Sequence, residues 1–245
     1  MNIKKILAKT DQGNYLQINQ DFMIRDIQKN IYLIGDGIGG SGIADKDVEK
    51  GLELIVENYQ KFSADPNKTL PFYFSPSYLP ETNSLINSLL IAHKDLLQRN
   101  NSKDMNARSA FSLLGFVLFD DNLTLISVGN CSSYLYRSSQ LIKMFEEDSL
   151  MLYSKDDNDD GLKLVPSSAV GIYSELYYQV REMKIQPNDK IALFTDGVSA
   201  YLSSEEIIEV LSTENLKLDE KVNGLMSLAQ ENGSYDNQTS LLVEF

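Results

Sequence analysis

The residues best placed to do chemistry are aspartates at the ends of apolar runs. Residues 31–40 read IYLIGDGIGG, in which four β-favouring residues give way to Gly35, Asp36 and Gly37. That is the pattern of a buried strand delivering one carboxylate to its tip, with bare backbone around it for a ligand to approach. Residues 190–197, KIALFTDG, repeat the arrangement and end on Asp196-Gly197. A third acidic tip, Asp236-Asn237, stands just before the apolar run at 241–243. Three strand-edge aspartates from three parts of the chain suggest a metal-binding carboxylate cluster.

Composition narrows which metal. The chain has one histidine, His93, and one cysteine, Cys131. Zinc sites ask for several such ligands, so any bound ion is held by oxygens, which points to Mg²⁺, Mn²⁺ or Ca²⁺. A single cysteine permits no disulfide within the chain and fits a reducing compartment. Net charge is −13 with a pI near 4.5. A surface that acidic repels nucleic-acid phosphates, which argues against a nucleic-acid binder. The N-terminal apolar stretch is too short for a secretory signal, and no window approaches the roughly 18 apolar residues of a membrane span. The expectation is a soluble, cytoplasmic protein without membrane partners.

The elements that must position the aspartates follow from periodicity. Strands are expected at 3–9, 22–27 and 31–34, the latter two joined by a Lys29-Asn30 turn. Helical spacing of Val48, Leu52, Ile55 and Val56 predicts a helix ending near Phe62, capped by Asp45 or Asp47. A second helix is expected at 84–98, and His93 within it reads as a packed or surface side chain. Segments 110–119, 123–128 and 133–136 read as a β-meander, which 142–145 extends. Residues 146–161 are acidic and read as a solvated loop. Strands at 177–183 and 191–194, helices at 205–211 (capped by Ser203 or Ser204) and 219–230, and a closing strand at 239–245 complete the chain. No composition shift demands a boundary, so one domain spanning 1–245 is expected.

The stretches LIGDGIGG, ISVGNCSSYLYR, DKIALFTDGVSAYLS and YDNQTSLLV fall in the order of the main motifs of PPM-type, or type-2C, metal-dependent protein serine/threonine phosphatases. The chain resembles the compact bacterial members from residues 19–21 to its C-terminus. The resemblance implies an α+β fold of four layers, α/β/β/α, with two antiparallel sheets packed face to face between helices. It implies hydrolysis of phosphoserine or phosphothreonine by a water activated between two Mn²⁺ or Mg²⁺ ions. Asp36 matches the aspartate bridging both metals, Gly37 the residue whose carbonyl ligates one, and Asp196 and Asp236 the remaining direct ligands. Asp21 matches an acidic residue that acts through metal-bound waters. Asp-Gly and Asp-Asn are also ordinary turn dipeptides, a reading strong for each site singly and weak for all at matched positions. The implied partners are a phosphoprotein substrate and a Ser/Thr kinase, with the chain acting as a monomer.

The departures are specific. Leu16 stands where the family has a phosphate-binding arginine, Gln20 where it has a glutamate, and Asn130 where an aspartate serves a third metal. The clamp and the third site are weakened while the two-metal core is intact. The rival reading is therefore a degenerate member that keeps the fold, binds a partner and turns over little. A covalent nucleophile is not supported: Ser41 lacks a G-x-S-x-G setting, and although Arg137 stands six residues after Cys131, it reads as the end of a strand rather than part of a phosphate-binding loop.

Overall fold

The period-2 alternation of strands lets one apolar run feed two cores at once. In the computed structural model, which describes residues 3–39, 44–65, 68–146, 148–156 and 159–245 (backbone alone for 151–156 and 159–164), this happens in both large sheets. One sheet contains β1 (Lys5–Asp11), β6 (Ser132–Arg137), β7 (Gln140–Lys143), β11 (Lys190–Phe194) and β12 (Gln238–Glu244) in the order β1-β12-β11-β6-β7. The other contains β2 (Phe22–Asp26), β3 (Ile31–Gly39), β4 (Ser109–Phe119), β5 (Asn122–Val128) and β10 (Gln179–Lys184) in the order β10-β5-β4-β3-β2. Every pairing in both is antiparallel.

Tyr32 and Ile34 of β3 face the space between the sheets, where they meet Leu114, Leu193 and Leu241. Tyr32 stacks on Phe116 with ring centroids 4.7 Å apart. Ile31 and Leu33 face the other way, onto α1 (Ala44–Ser63) and α2 (Pro80–Asn101). On the opposite side, Ala192, Phe194 and Leu242 pack beneath α3 (Asp196–Ser199), α4 (Ser204–Ser212) and α5 (Leu218–Glu231). The result is the expected order of four layers, helix, sheet, sheet, helix.

Five local expectations are corrected. β3 does not stop at Gly35; it runs to Gly39 because β4 continues beside it, pairing Asp36 with Ser112 and Gly39 with Ser109. The meander is broken, since β4 and β5 form a hairpin but β6 belongs to the facing sheet. Gly129, at φ +84°, makes that switch; a Cβ there would lie 2.4 Å from Ser112 Oγ. Residues 149–166 are not loop but the hairpin of β8 (Ser149–Asp156) and β9 (Asp159–Pro166), pairing Leu150 with Val165; Asp157 and Asn158 lie outside the described residues. α2 begins four residues early because Pro80 occupies its first turn, where a missing N–H costs nothing. α1 begins at Ala44, so Asp45 and Asp47 sit inside its first turn rather than capping it.

Asp47 instead ties three elements together. It is 6% exposed, accepts from Arg99 of α2 and Ser109 of β4, and lies 3.6 Å from Lys103 Nζ. Burial alone would raise its pKa, but the Ser109 and Arg99 hydrogen bonds outweigh this and hold it below the usual carboxylate range. Removing the carboxylate leaves Arg99 and Ser109 without their acceptor. Asp47→Ala should therefore lower unfolding stability by about 2–3 kcal/mol. Urea denaturation measures this, and an unchanged midpoint would contradict the tie.

Candidate active site

At one end of the inter-sheet space the apolar lining turns polar. Tyr32 and Ile34 line that space, and Asp36, the next residue of the same parity on β3, extends the face. Met23 of β2 packs there too, so Asp21 falls on the same side just ahead of the strand. Across from them, on the same parity, Thr195 follows Leu193 of β11 and Thr239 precedes Leu241 of β12. Thr195 Oγ1 donates to Asp21 Oδ2 at 2.8 Å. Asp196 opens α3 immediately after Thr195. Asp236 lies in the connection from α5 to β12 and accepts the Asn237 N–H at 2.8 Å. A Cβ on Gly197 would sit 1.9 Å from the Asn237 carbonyl oxygen, so only glycine lets α3 start this close to that connection.

The four carboxylates act on one another. Burial raises the Asp36 pKa well above the carboxylate range, reinforced by Asp196, Asp21 and Asp236. Asp21 is pushed to about 7, chiefly by burial; hydrogen bonds from Thr239 and Thr195 oppose this, and the charges of Asp196 and Asp236 add to it. Asp196 rises to about 6 through burial and the nearby Asp236, and burial also raises Asp236. No basic side chain is among these influences. Asp21 is 5% exposed and its Oδ1 has no hydrogen-bond partner, whereas Asp36, Asp196 and Asp236 are half-buried.

These features fit a divalent cation: all donors are oxygen, the negative charge is uncompensated, and one buried acceptor is unsatisfied. Among the described residues, however, no group of three or more His, Cys, Asp or Glu side chains is disposed to hold one ion by itself. The arrangement is thus a shared acidic basin rather than a closed cage.

Asn130 enters as a donor. Its Nδ2 donates to Asp196 Oδ2 at 2.7 Å, and its Oδ1 accepts from Ser112 Oγ at 2.7 Å. The amide therefore orients Asp196 instead of adding a fifth negative charge. Gln20 donates its backbone N–H to Asn237 Oδ1 at 2.8 Å, and Leu16 lies on the 12–20 segment, 38% exposed. Cys131 is buried, and Arg137 donates to Asp189, so these two form no phosphate loop. Ser41 lies outside the described residues. His93 is packed, 3% exposed, and accepts the Gly171 N–H on Nδ1; burial lowers its pKa. Sequence reasoning missed Thr195, Thr239 and Ser112, which are common hydroxyl residues that only parity and cross-sheet pairing distinguish.

The raised pKa values carry a sign. A carboxyl with a folded pKa above its unfolded value binds its proton more tightly when folded, so it stabilises the fold below the unfolded pKa and loses this as pH rises through the folded one. In chelator, the melting temperature should climb as pH falls from about 7 to about 5, and Asp21→Asn should flatten the climb. A flat or opposite wild-type profile in thermal melts would contradict the raised values.

No family model matches the chain. A Streptococcus pyogenes protein provisionally named a protein phosphatase of the 2C type is 23% identical over 255 residues, covering 98% of this chain and 96% of its own. The S. agalactiae serine/threonine phosphatase superposes with a TM-score of 0.75 at 20% identity, covering 98% of each chain. The catalytic domain of the serine/threonine protein phosphatase PstP in complex with two manganese ions superposes with a TM-score of 0.71 at 18% identity, covering 98% of this chain and 97% of that one. The four layers and the acidic basin at their end are thus built on the fold of the PPM serine/threonine phosphatases.

Proposed function

We propose that this chain is a metal-dependent protein serine/threonine phosphatase, a phosphoric monoester hydrolase acting on phosphoserine and phosphothreonine in proteins. The observation that carries the reading is the convergence of Asp21, Asp36, Asp196 and Asp236, with no basic side chain among the main influences on their charge. Asp36 would be shared between two Mn²⁺ or Mg²⁺ ions, with Asp196, Asp236 and the Gly37 carbonyl as the other protein ligands. Two ions sharing one carboxylate, with water filling the rest of their shells, need fewer side chains each than a closed cage does. When bound, such a pair activates a water nucleophile and stabilises both oxygens of an in-line displacement at phosphorus.

The chain's own residues do the remainder. Asn130 and Ser112 hold Asp196 in one orientation. Thr195 fixes one oxygen of Asp21, leaving Oδ1 as an acceptor for a water proton. The ester oxygen leaves with the proton that the attacking water gives up. We place the work in a single domain spanning 1–245, acting as a cytoplasmic monomer opposite a Ser/Thr kinase. Its substrates would be phosphoproteins and not nucleic acids, given the net charge of −13. Among the described residues no helix is long and apolar enough to cross a membrane.

The rival, a binding module with little turnover, draws on Asn130 standing as an amide beside Asp196 and on Leu16 in place of a clamp. One experiment separates them. Wild-type protein with Mn²⁺ should hydrolyse p-nitrophenyl phosphate, lose activity in EDTA and regain it on readdition. Asp36→Asn should abolish most turnover, while Asp21→Asn, acting through water, should cost about 10- to 100-fold. Undiminished turnover in fully chelated protein would overturn metal dependence, and inert wild-type protein with Mn²⁺ bound would favour the binding module.

A further inference from the structure

The carboxylate basin has a border of another character. Segment 12–20, QGNYLQINQ, contains no charged residue in a chain with 22 basic and 35 acidic ones. It is fastened to the basin: Asn237 Nδ2 donates to the Gln12 and Ile18 carbonyls at 2.7 and 3.2 Å, and Asn237 Oδ1 accepts the Gln20 N–H. A Cβ on Gly13 would lie 2.7 Å from the Asp236 carbonyl oxygen. The segment nevertheless turns apolar side chains to solvent, with Tyr15 72% exposed and Leu16 and Ile18 each 38% exposed. Tyr235, next to Asp236, is 55% exposed and meets Tyr201 edge to face at 6.1 Å. Tyr201 feels the charges of both Asp236 and Asp196, so this aromatic pair borders the same basin.

We infer that Tyr15, Leu16, Ile18, Tyr201 and Tyr235 form a docking rim for the apolar residues flanking the phosphorylated side chain of an extended protein segment. This rests on the phosphatase reading and names its substrate class. Exposed apolar side chains gathered beside a reactive centre gain by covering one another with a partner's, and scattered ones do not. Charge selects the partner further. An acidic flank would approach four carboxylates with no basic side chain among their main influences, whereas an apolar flank meets neutral side chains. No arginine occurs in the 12–20 segment to grip the phosphate, so what this segment offers a protein substrate is contact with the flanks.

The test uses the whole chain with Mn²⁺, p-nitrophenyl phosphate, and two fluorescent phosphothreonine peptides. One peptide carries leucine and valine beside the phosphothreonine, and the other carries glutamate and aspartate. Wild type should favour the apolar peptide by about tenfold or more in kcat/KM, mostly through KM. In the double variant Tyr15→Ser, Ile18→Ser, the ratio of apolar-peptide to p-nitrophenyl phosphate kcat/KM should drop about tenfold. Thermal melts confirm that the variant is folded. If wild type turns over p-nitrophenyl phosphate but treats both peptides alike, or the variant keeps the wild-type ratio, the rim is overturned and the phosphatase reading stands. Fluorescence anisotropy covers the other case. Protein inert toward every substrate that still binds the apolar peptide more tightly, and loses this in the variant, sinks the phosphatase reading and keeps the rim. Inert protein with no preference sinks both.

Discussion

Mutual repulsion of carboxylates in a poorly solvated space is the constraint on which this structure turns. Asp36 feels Asp196, Asp21 and Asp236 at once, and burial raises the pKa of each. Such a group costs free energy unless protons or cations neutralise it. The fold supplies the rest of the framework to hold the aspartates in place despite that repulsion. Thr195 grips Asp21, Asn130 grips Asp196 through its own bond to Ser112, and the Asn237 N–H holds Asp236. A site that is unfavourable when empty and rigidly held is well prepared for a divalent ion.

The two sheets create this arrangement by changing composition along one face. Toward one end the inter-sheet layer is Tyr32, Phe116, Leu118, Ile191 and Val243, a close-packed apolar core. Toward the other end the same strands offer Asp36, Ser112, Thr195 and Thr239. The apolar part fixes strand spacing and register, and the register then fixes where the polar residues meet. Helices on both outer faces bury the alternate residues, so a slip by one position would move Ile31 and Leu33, or Ala192 and Phe194, off the helices they pack against and into the inter-sheet layer.

Much of this was legible in the residues themselves. Apolar runs ending on Asp36 and Asp196 marked strands and carboxylates together, because buried strands and bare glycine tips have a distinct composition. Helix spacing found α1, α2, α4 and α5, and the Ser203 cap is present with Glu206 as its reciprocal partner. The failures share a cause, which is that they depend on what lies opposite. β3 reaches Gly39 because β4 accompanies it, and the β5-to-β6 step changes sheets because of one backbone angle at Gly129. The hairpin at 149–166 was hidden because its acidic residues near the turn suggested a loop. Thr195, Thr239 and Ser112 became visible only once the sheets faced each other. The departures at Leu16 and Asn130 were legible as letters; that Asn130 orients Asp196, and that Leu16 belongs to an apolar rim, came from geometry.

The central claim is that the basin exists to hold a pair of divalent ions through a shared Asp36. Titration of chelator-stripped protein with Mn²⁺ in a calorimeter tests it most directly, because it reads binding without requiring turnover. The account predicts two ions per chain for the wild type and at most one, more weakly held, for Asp36→Asn. Wild-type protein that binds no Mn²⁺ near neutral pH, or an Asp36→Asn isotherm identical to the wild type's, would contradict it.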